Sequence, residues 1–330
     1  RLFENRMAEL EYGEGAVAFS SGMAAISSVL FSLLKPRDNL IVHRTLYGSS
    51  YNVANNLLSQ YDIKSKIVDL TNIEELKDSI DENTRVIYFE TPSNPDLSII
   101  DIKRVVEIAK DNKIKVVVDN TFASPYFQNP LQLGADVVVH SATKYLSGHG
   151  DVVGGVAIAK DIDYIHYLKF EYMCEFGGVM SPFNAWLLLR GLKTLGLRMR
   201  QHEKNAVEVA KFLQNHPKVK KVLYPGLEDF PNYSIAQEQM KGFGAMISFE
   251  VDGDIETGKK FVEGVQLAKL AVSLGDCETL IEFPAAMTHR GYPREKLKQF
   301  GLTESMIRIS VGLEDYKDII EDLDQALAKI

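Results

Sequence analysis

The sequence is poor in the residues that build disulfide frameworks, metal centres and nucleic-acid surfaces. Its 330 residues include 2 cysteines and 7 histidines. Cys174 and Cys277 stand far apart, in neither a CxxC nor a zinc-ligand spacing, so neither a structural metal site nor a disulfide scaffold is expected. Lys and Arg total 37 against 45 acids, a formal charge of -8, and such a balance lacks the basic excess that nucleic-acid binding favours. No apolar run approaches the ~20 residues that cross a bilayer. A reduced, cytoplasmic protein with neither a nucleic-acid nor a membrane partner is the expectation. An initiating Met is also missing. RLFENRMAELE begins already in helical register, with Leu2, Met7 and Leu10 expected on one face, and the chain is read as starting inside a longer protein.

What is there is a long alternation of apolar β-rich runs with helical stretches, from about residue 17 to residue 160. Strands are expected at LIVH (40–43), KIVDL (66–70), RVIYFE (85–90), KVVVDN (115–120), DVVVHS (136–141) and GGVAIA (154–159). IEELKDSI (73–80) and IKRVVEIAKDN (102–112) carry helical spacing between them. Strands apolar on both faces and separated by helices predict an α/β fold, a mainly parallel sheet covered on both sides. Residues 180–216 read as helical, with Gly191 and Gly196 as breaks or close-packing points. KVLYP (221–225), AMISFEV (245–251) and MIRISVG (306–312) then read as strands of a smaller C-terminal α+β domain. The expected division is 1–195 and 196–330.

Two strand ends carry chemistry. Asp119 follows three valines in VVVDNTF, and Lys144 follows VVVHSAT. Reactive groups of a parallel sheet gather outside the carboxyl ends of its strands, which would deliver both to one crevice. By themselves the two are equally compatible with a structural ion pair. AFSSGMAA (18–25) opens a helix at Gly22 and Met23, whose free N–H groups suit an anion. Ser141 and Thr143 add hydroxyls beside the lysine. A phosphate clamp, an amine that condenses with an aldehyde and an acid for a ring nitrogen are together what pyridoxal 5'-phosphate requires.

SSGMAA (20–25), ETPSNP (90–95), VVDNTF (117–122), HSATKYLSGH (140–149), RGLKTLGLRM (190–199), SLGDCETLIEFPAAMTH (273–289) and IRISVGLED (307–315) closely resemble, in order, the trans-sulfuration (Cys/Met metabolism) family of pyridoxal-phosphate enzymes. The resemblance implies the type I, aspartate-aminotransferase-like fold. It makes Lys144 the lysine that forms the cofactor imine, Asp119 the partner of the ring nitrogen and Tyr47 the stacking and acid–base tyrosine. Gly22, Met23, Ser141 and Thr143 become phosphate-site residues, and Asn94, Ser273 and Arg308 face substrate, with Arg308 on the α-carboxylate. It also implies a homotetramer built as a dimer of dimers. There, a Tyr-x-Arg segment upstream of Arg1 reaches the neighbouring subunit's phosphate.

The reaction is expected to turn on the substrate-side positions. Cystathionine γ-lyases and γ-synthases usually carry Glu at the position of Val272. Burying an unpaired ammonium beside valine is costly, so an apolar residue suits a thiomethyl group better. AVSLGDCETL resembles the methionine-cleaving members of the family. Ser49 stands where some of those enzymes carry a reactive cysteine, and Met173-Cys174-Glu175-Phe176 departs from their pattern. The expected activity is α,γ-elimination from L-methionine, giving methanethiol, ammonia and 2-oxobutanoate. Cystathionine γ-lyase or γ-synthase and O-acetylhomoserine thiol-lyase activities are the alternatives. Cys174 and Cys277 are given no catalytic role, since buried thiols are more often small packing residues, and His140 and His149 are expected to be local hydrogen-bonding residues.

Overall fold

In the computed structural model, residues 1–284, 287, 303 and 305–330 are described. Of the motif at 273–289, Ala285, Ala286, Thr288 and His289 lie outside them. Among the described residues no helix is long and apolar enough to cross a membrane.

The first sheet has seven strands: β1 (Gly15–Phe19), β2 (Asn39–His43), β3 (Lys64–Val68), β4 (Thr84–Glu90), β5 (Lys115–Asp119), β6 (Val137–Ser141) and β7 (Gly155–Ala159). Their order is β1-β7-β6-β5-β4-β2-β3. The five strands from β6 to β3 run parallel, and β7 is antiparallel to both of its neighbours. The expected mainly parallel sheet is therefore present. Its register explains the uninterrupted valines and isoleucines. Val86, Tyr88 and Val117 pack into one core, while Ile87, Phe89, Val116 and Val118 pack into a second core on the opposite face. Side chains alternate along a strand, so only a sheet covered twice needs every position apolar.

β1 was not among the expected strands. Its sequence GAVAF is too rich in Gly and Ala to read as a strand by composition. It is held at the sheet edge by antiparallel pairing with β7, Gly15 opposite Ala159 through Phe19 opposite Gly155. The opening helix α1 (Leu2–Glu11) also differs from expectation. Met7 is fully buried, but Leu2 is 75% exposed. The face turned inward carries Phe3, Glu4, Met7, Ala8 and Glu11, because two of its acids find polar partners inside. α2 (Gly22–Leu33) starts at Ser21, whose Oγ accepts from the Ala24 N–H at 3.1 Å, an N-cap that fixes where the helix begins.

The helical stretch at 180–216 is two helices, Pro182–Leu192 and Leu195–Asn215. The break falls at Lys193 and Thr194, between the two glycines read as breaks or close-packing points. Gly191 serves contact instead: a Cβ there would lie 2.3 Å from the Ser147 carbonyl oxygen. The second sheet runs β10 (Lys269–Leu270), β11 (Leu280–Glu282), β12 (Met306–Ser310), β9 (Met246–Val251), β8 (Val219–Leu223). The two short strands at its edge were not foreseen.

Candidate active site

The carboxyl ends of β4, β5 and β6, the start of α2 and a loop and strand of the second sheet enclose a cavity of about 270 Å³. Each side chain arrives there for a local reason. The valines of β5 and β6 seat those strands in the core, which brings Asp119 and Ser141 to the edge where the strands end. Directly after β6 the chain turns tightly: the Lys144 N–H donates to the Ser141 carbonyl at 3.2 Å and the Gly148 N–H to the Lys144 carbonyl at 2.8 Å. That turn aims Lys144 back over the strand ends, where Nζ donates to Ser273 Oγ at 2.6 Å. Burial and the Arg308 charge lower the amine from its usual 10.5 to about 8, against the opposing pull of Glu282.

At the start of α2, Gly22 lets the helix approach Ser141 closely: a Cβ there would lie 2.9 Å from Ser141 Cβ and 3.1 Å from its Oγ. The first N–H groups of a helix have no intrahelical acceptor and carry partial positive charge. With Ser141 and Thr143 beside them, Gly22 and Met23 form a cradle for a phosphate. Thr143 is fixed by its hydroxyl, which accepts from the Gly154 N–H at 3.1 Å. Side-chain-free backbone, helix terminus and hydroxyls fit the phosphate of pyridoxal phosphate. Lys144 and Asp119 fit its aldehyde and ring nitrogen.

Asp119 is buried, and burial raises its pKa against hydrogen bonds from Thr121, whose N–H and hydroxyl reach Oδ1 at 3.0 and 2.5 Å. The Tyr88 hydroxyl lies 3.4 Å from Oδ2. Thr121 Oγ1 also accepts from the Ser141 N–H at 2.9 Å, joining the two strand ends. On the neighbouring strand Glu90 faces the same cavity. Burial first and the Asp119 charge second raise its pKa well above the carboxylate range. It accepts the Tyr47 N–H at 2.8 Å, so the loop carrying Tyr47 is tied to β4. The Tyr47 side chain is itself 41% exposed, at the mouth.

Arg308 enters from β12 and is buried. Nη1 donates to Asn94 Oδ1 at 2.8 Å and pairs with Glu282 Oε1 at 3.1 Å, and Nη2 donates to the Ser273 carbonyl at 3.0 Å. Its Nε has no hydrogen-bond partner among the described residues. A buried guanidinium with donor capacity left, beside an amine of lowered pKa, suits a planar carboxylate. Ser273 holds φ 102, a left-handed backbone that a non-glycine residue adopts at a cost of about 1–3 kcal/mol. Its carbonyl meets Arg308 while its hydroxyl meets Lys144. Val272 lines the cavity beside it and is 54% exposed.

The structure thus gathers Gly22, Met23, Tyr47, Asn94, Asp119, Ser141, Thr143, Lys144, Val272, Ser273 and Arg308 around one cavity. Ser49 is not among the lining residues. It lies on the short helix Gly48–Asn52 that begins right after Tyr47. Glu90, Thr121 and Glu282 were quoted within motifs at the sequence level but given no role. Acids and hydroxyls at the end of an apolar strand were the signal that could have found Glu90 and Thr121. The packing rationale for the cysteines is corrected: Cys174 is exposed and Cys277 half-buried, so neither is a core packing thiol. Cys174 sits in a short surface helix, and Cys277 Sγ donates to the Gly148 carbonyl. His149 Nδ1 lies 2.7 Å from the Ser147 carbonyl, and His140 is fully enclosed behind the sheet.

Comparison with known proteins places the chain among pyridoxal-phosphate enzymes. A family model described as Cys/Met metabolism PLP-dependent enzyme matches residues 1–328. The L-methionine gamma-lyase of Fusobacterium nucleatum subsp. nucleatum is 49% identical over 332 residues, covering 100% of this chain and 84% of that protein. The cystathionine gamma-lyase of Bacillus subtilis is 46% identical over 327 residues, covering 99% and 86%. Among solved structures, cystathionine gamma-lyase from Lactobacillus plantarum complexed with L-serine superposes with a TM-score of 0.96 at 42% identity, covering 99% of this chain and 85% of that one.

Proposed function

This chain belongs to the Cys/Met metabolism family of pyridoxal-phosphate-dependent enzymes, and we propose that it is a carbon–sulfur lyase of the methionine γ-lyase kind. The reaction is L-methionine plus water giving methanethiol, ammonia and 2-oxobutanoate. The observation that carries the choice of substrate is Val272. It is an apolar side chain at the cavity wall, next to the Ser273 that touches both Lys144 and Arg308.

Lys144, Asp119, Ser141, Thr143, Gly22 and Met23 would hold pyridoxal phosphate. When bound, it supplies an aldehyde for the substrate amine and a conjugated ring that accepts electrons from Cα and Cβ. Arg308 and Asn94 hold the methionine carboxylate and so orient its Cα–H. Lys144 Nζ, lowered to about 8, would accept that proton from Cα and, once it has given it up and is neutral again, would accept one from Cβ. Such a value lies near neutrality, where a base is both populated in its neutral form and strong enough. The Ser273 hydroxyl keeps Nζ on the substrate side. The Tyr47 hydroxyl donates a proton to the departing sulfur. The Asp119 carboxylate neutralises positive charge at the ring nitrogen, and that cation in turn removes much of the cost of its own burial.

We take residues 1–195 as the cofactor-binding domain and 196–330 as the smaller domain that brings Ser273 and Arg308. We also take the active form to be a cytoplasmic homotetramer whose paired subunits complete each other's sites. The deciding experiment supplies purified protein with pyridoxal phosphate and then methionine, cystathionine, cysteine, or O-acetylhomoserine with a thiol. Methionine should give the highest kcat/KM, with methanethiol and 2-oxobutanoate formed in equal amounts. A higher value for cystathionine moves the assignment to cystathionine γ-lyase, and thioether formation from O-acetylhomoserine moves it to a thiol-lyase.

A further inference from the structure

The face of the seven-stranded sheet opposite the cavity carries a buried carboxylate that none of this chemistry uses. Glu11, at the end of α1, is fully buried, as is His140 on β6. His140 Nε2 lies 2.6 Å from Glu11 Oε1, Asn120 Nδ2 donates to the same oxygen at 2.8 Å, and Asn129 Nδ2 donates to Oε2 at 3.4 Å. The strand pleat gives these contacts their meaning. Successive side chains of a strand point to opposite faces. Asn120 directly follows Asp119, and His140 directly precedes Ser141, so each residue gripped behind the sheet neighbours one that faces the cavity in front. β5 and β6 are paired at this level, Asp119 opposite Val139, and the Asn120 N–H donates to the Val139 carbonyl at 3.0 Å. The grip extends to the third strand end through Gln128, which donates to Asn120 Oδ1 at 3.0 Å and to the Thr91 carbonyl at 2.8 Å. Thr91 opens the loop that carries Asn94.

We propose that Glu11 and His140 are positioning residues of the cofactor site, holding from behind the strand ends whose front-facing side chains are Asp119 and Ser141. The inference rests on the pyridoxal-phosphate reading of those two residues. His140 Nδ1 has no hydrogen-bond partner among the described residues, so Glu11 anchors the ring. α1 has a second attachment that serves as a control. At its other end Glu4 pairs with Lys169 at 2.8 Å and accepts the Ala18 N–H at 3.2 Å.

The test measures the Kd for pyridoxal phosphate and the Tm of the cofactor-free protein. It uses the parent, Glu11→Gln, His140→Leu, His140→Gln and Glu4→Gln, each with and without Asp119→Asn. Glu11→Gln and His140→Leu should weaken cofactor binding about tenfold in the parent and by less than about threefold beside Asp119→Asn, the non-additivity expected of coupled groups. His140→Gln, which keeps a donor where Nε2 stood, should recover most of the affinity. Glu4→Gln should lower Tm without changing Kd. Equal losses with and without Asp119→Asn, or a Glu4→Gln loss matching that of Glu11→Gln, would overturn the proposal in favour of general loosening of α1. Should Glu11→Gln not fold, the Leu and Gln replacements of His140 decide alone. A parent that binds no pyridoxal phosphate refutes the functional reading, and this inference with it. Additive losses in a parent that does bind refute the inference only.

Discussion

Replacing Lys144 by Met should make the cofactor-free protein more stable at neutral pH, although it removes the residue on which the proposed activity depends. The amine is lowered from 10.5 to about 8, mainly by burial and then by Arg308. At 1.36 kcal/mol per pKa unit the difference corresponds to about 3 kcal/mol of unfavourable interaction in the charged form. The lost hydrogen bond to Ser273 Oγ, at 2.6 Å, offsets about 1 kcal/mol of the gain. A net increase of about 2 kcal/mol is expected at pH 7. The sign follows from proton linkage. Between the folded value of about 8 and the unfolded value of 10.5, the unfolded chain binds more protons, so stability of the parent rises with pH through that window. Below it both states are protonated and the penalty is complete; above it both are neutral and the penalty is gone. The advantage of Lys144→Met should therefore be full at pH 7 and shrink steadily towards pH 10. Urea unfolding of both cofactor-free proteins across that range measures it. A variant less stable than the parent at pH 7, or an advantage independent of pH, would refute the reasoning.

Arg308→Lys keeps the charge beside Glu282 but loses the fork that reaches Asn94 Oδ1 and the Ser273 carbonyl. Losing about 2–3 kcal/mol of charge-assisted hydrogen bonding should lower kcat/KM by roughly 100-fold, mostly through KM, in steady-state assays with methionine. Val272→Glu should move the ratio of kcat/KM towards cystathionine by at least about tenfold, or about 1.4 kcal/mol, measured by competition between the two substrates. Gly22→Ala places a Cβ 2.9 Å from that of Ser141. Its effect should appear in equilibrium titration as roughly tenfold weaker binding of pyridoxal phosphate, since overpacking costs about 1–3 kcal/mol. Unchanged affinity would show that the cradle does not need this close approach of Gly22 to Ser141.

The parallel strands were legible because burial on both faces leaves long β-branched runs, and the valines before Asp119 and Ser141 are such runs. β1 was not, because Gly15, Ala16 and Ala18 carry little strand signal and owe their conformation to pairing with β7. Leu2 misled for a related reason. Helical spacing shows that a stripe exists but not that acids can share it, and Glu4 and Glu11 turn inward because partners distant in sequence await them. The break at Lys193 and Thr194 was hidden by glycines on either side, one of which is there to let a helix meet a carbonyl.

At the site, the residues proposed to touch a ligand were easier to find than those that hold them. Lys144 and Asp119 announce themselves as charged residues at the ends of apolar strands. Glu90 stands in the same position at the end of β4, yet a carboxylate there has no evident task until the Tyr47 N–H is seen 2.8 Å from it. Once both acids are placed, they constrain each other. Burial raises each of them, and the charge of Asp119 raises Glu90 further. Two buried carboxylates facing one cavity resist simultaneous ionisation unless cations stand near, and the Arg308 charge already favours the ionised form of Glu90 in part. On the proposed function a protonated ring nitrogen beside Asp119 would be a further cation, and the Glu90 carboxyl accepts the Tyr47 N–H in either protonation state. On the proposed function the two acids divide their work by environment: Asp119 would answer charge on the cofactor, while Glu90, whose burial favours its neutral form, holds the loop that carries the tyrosine.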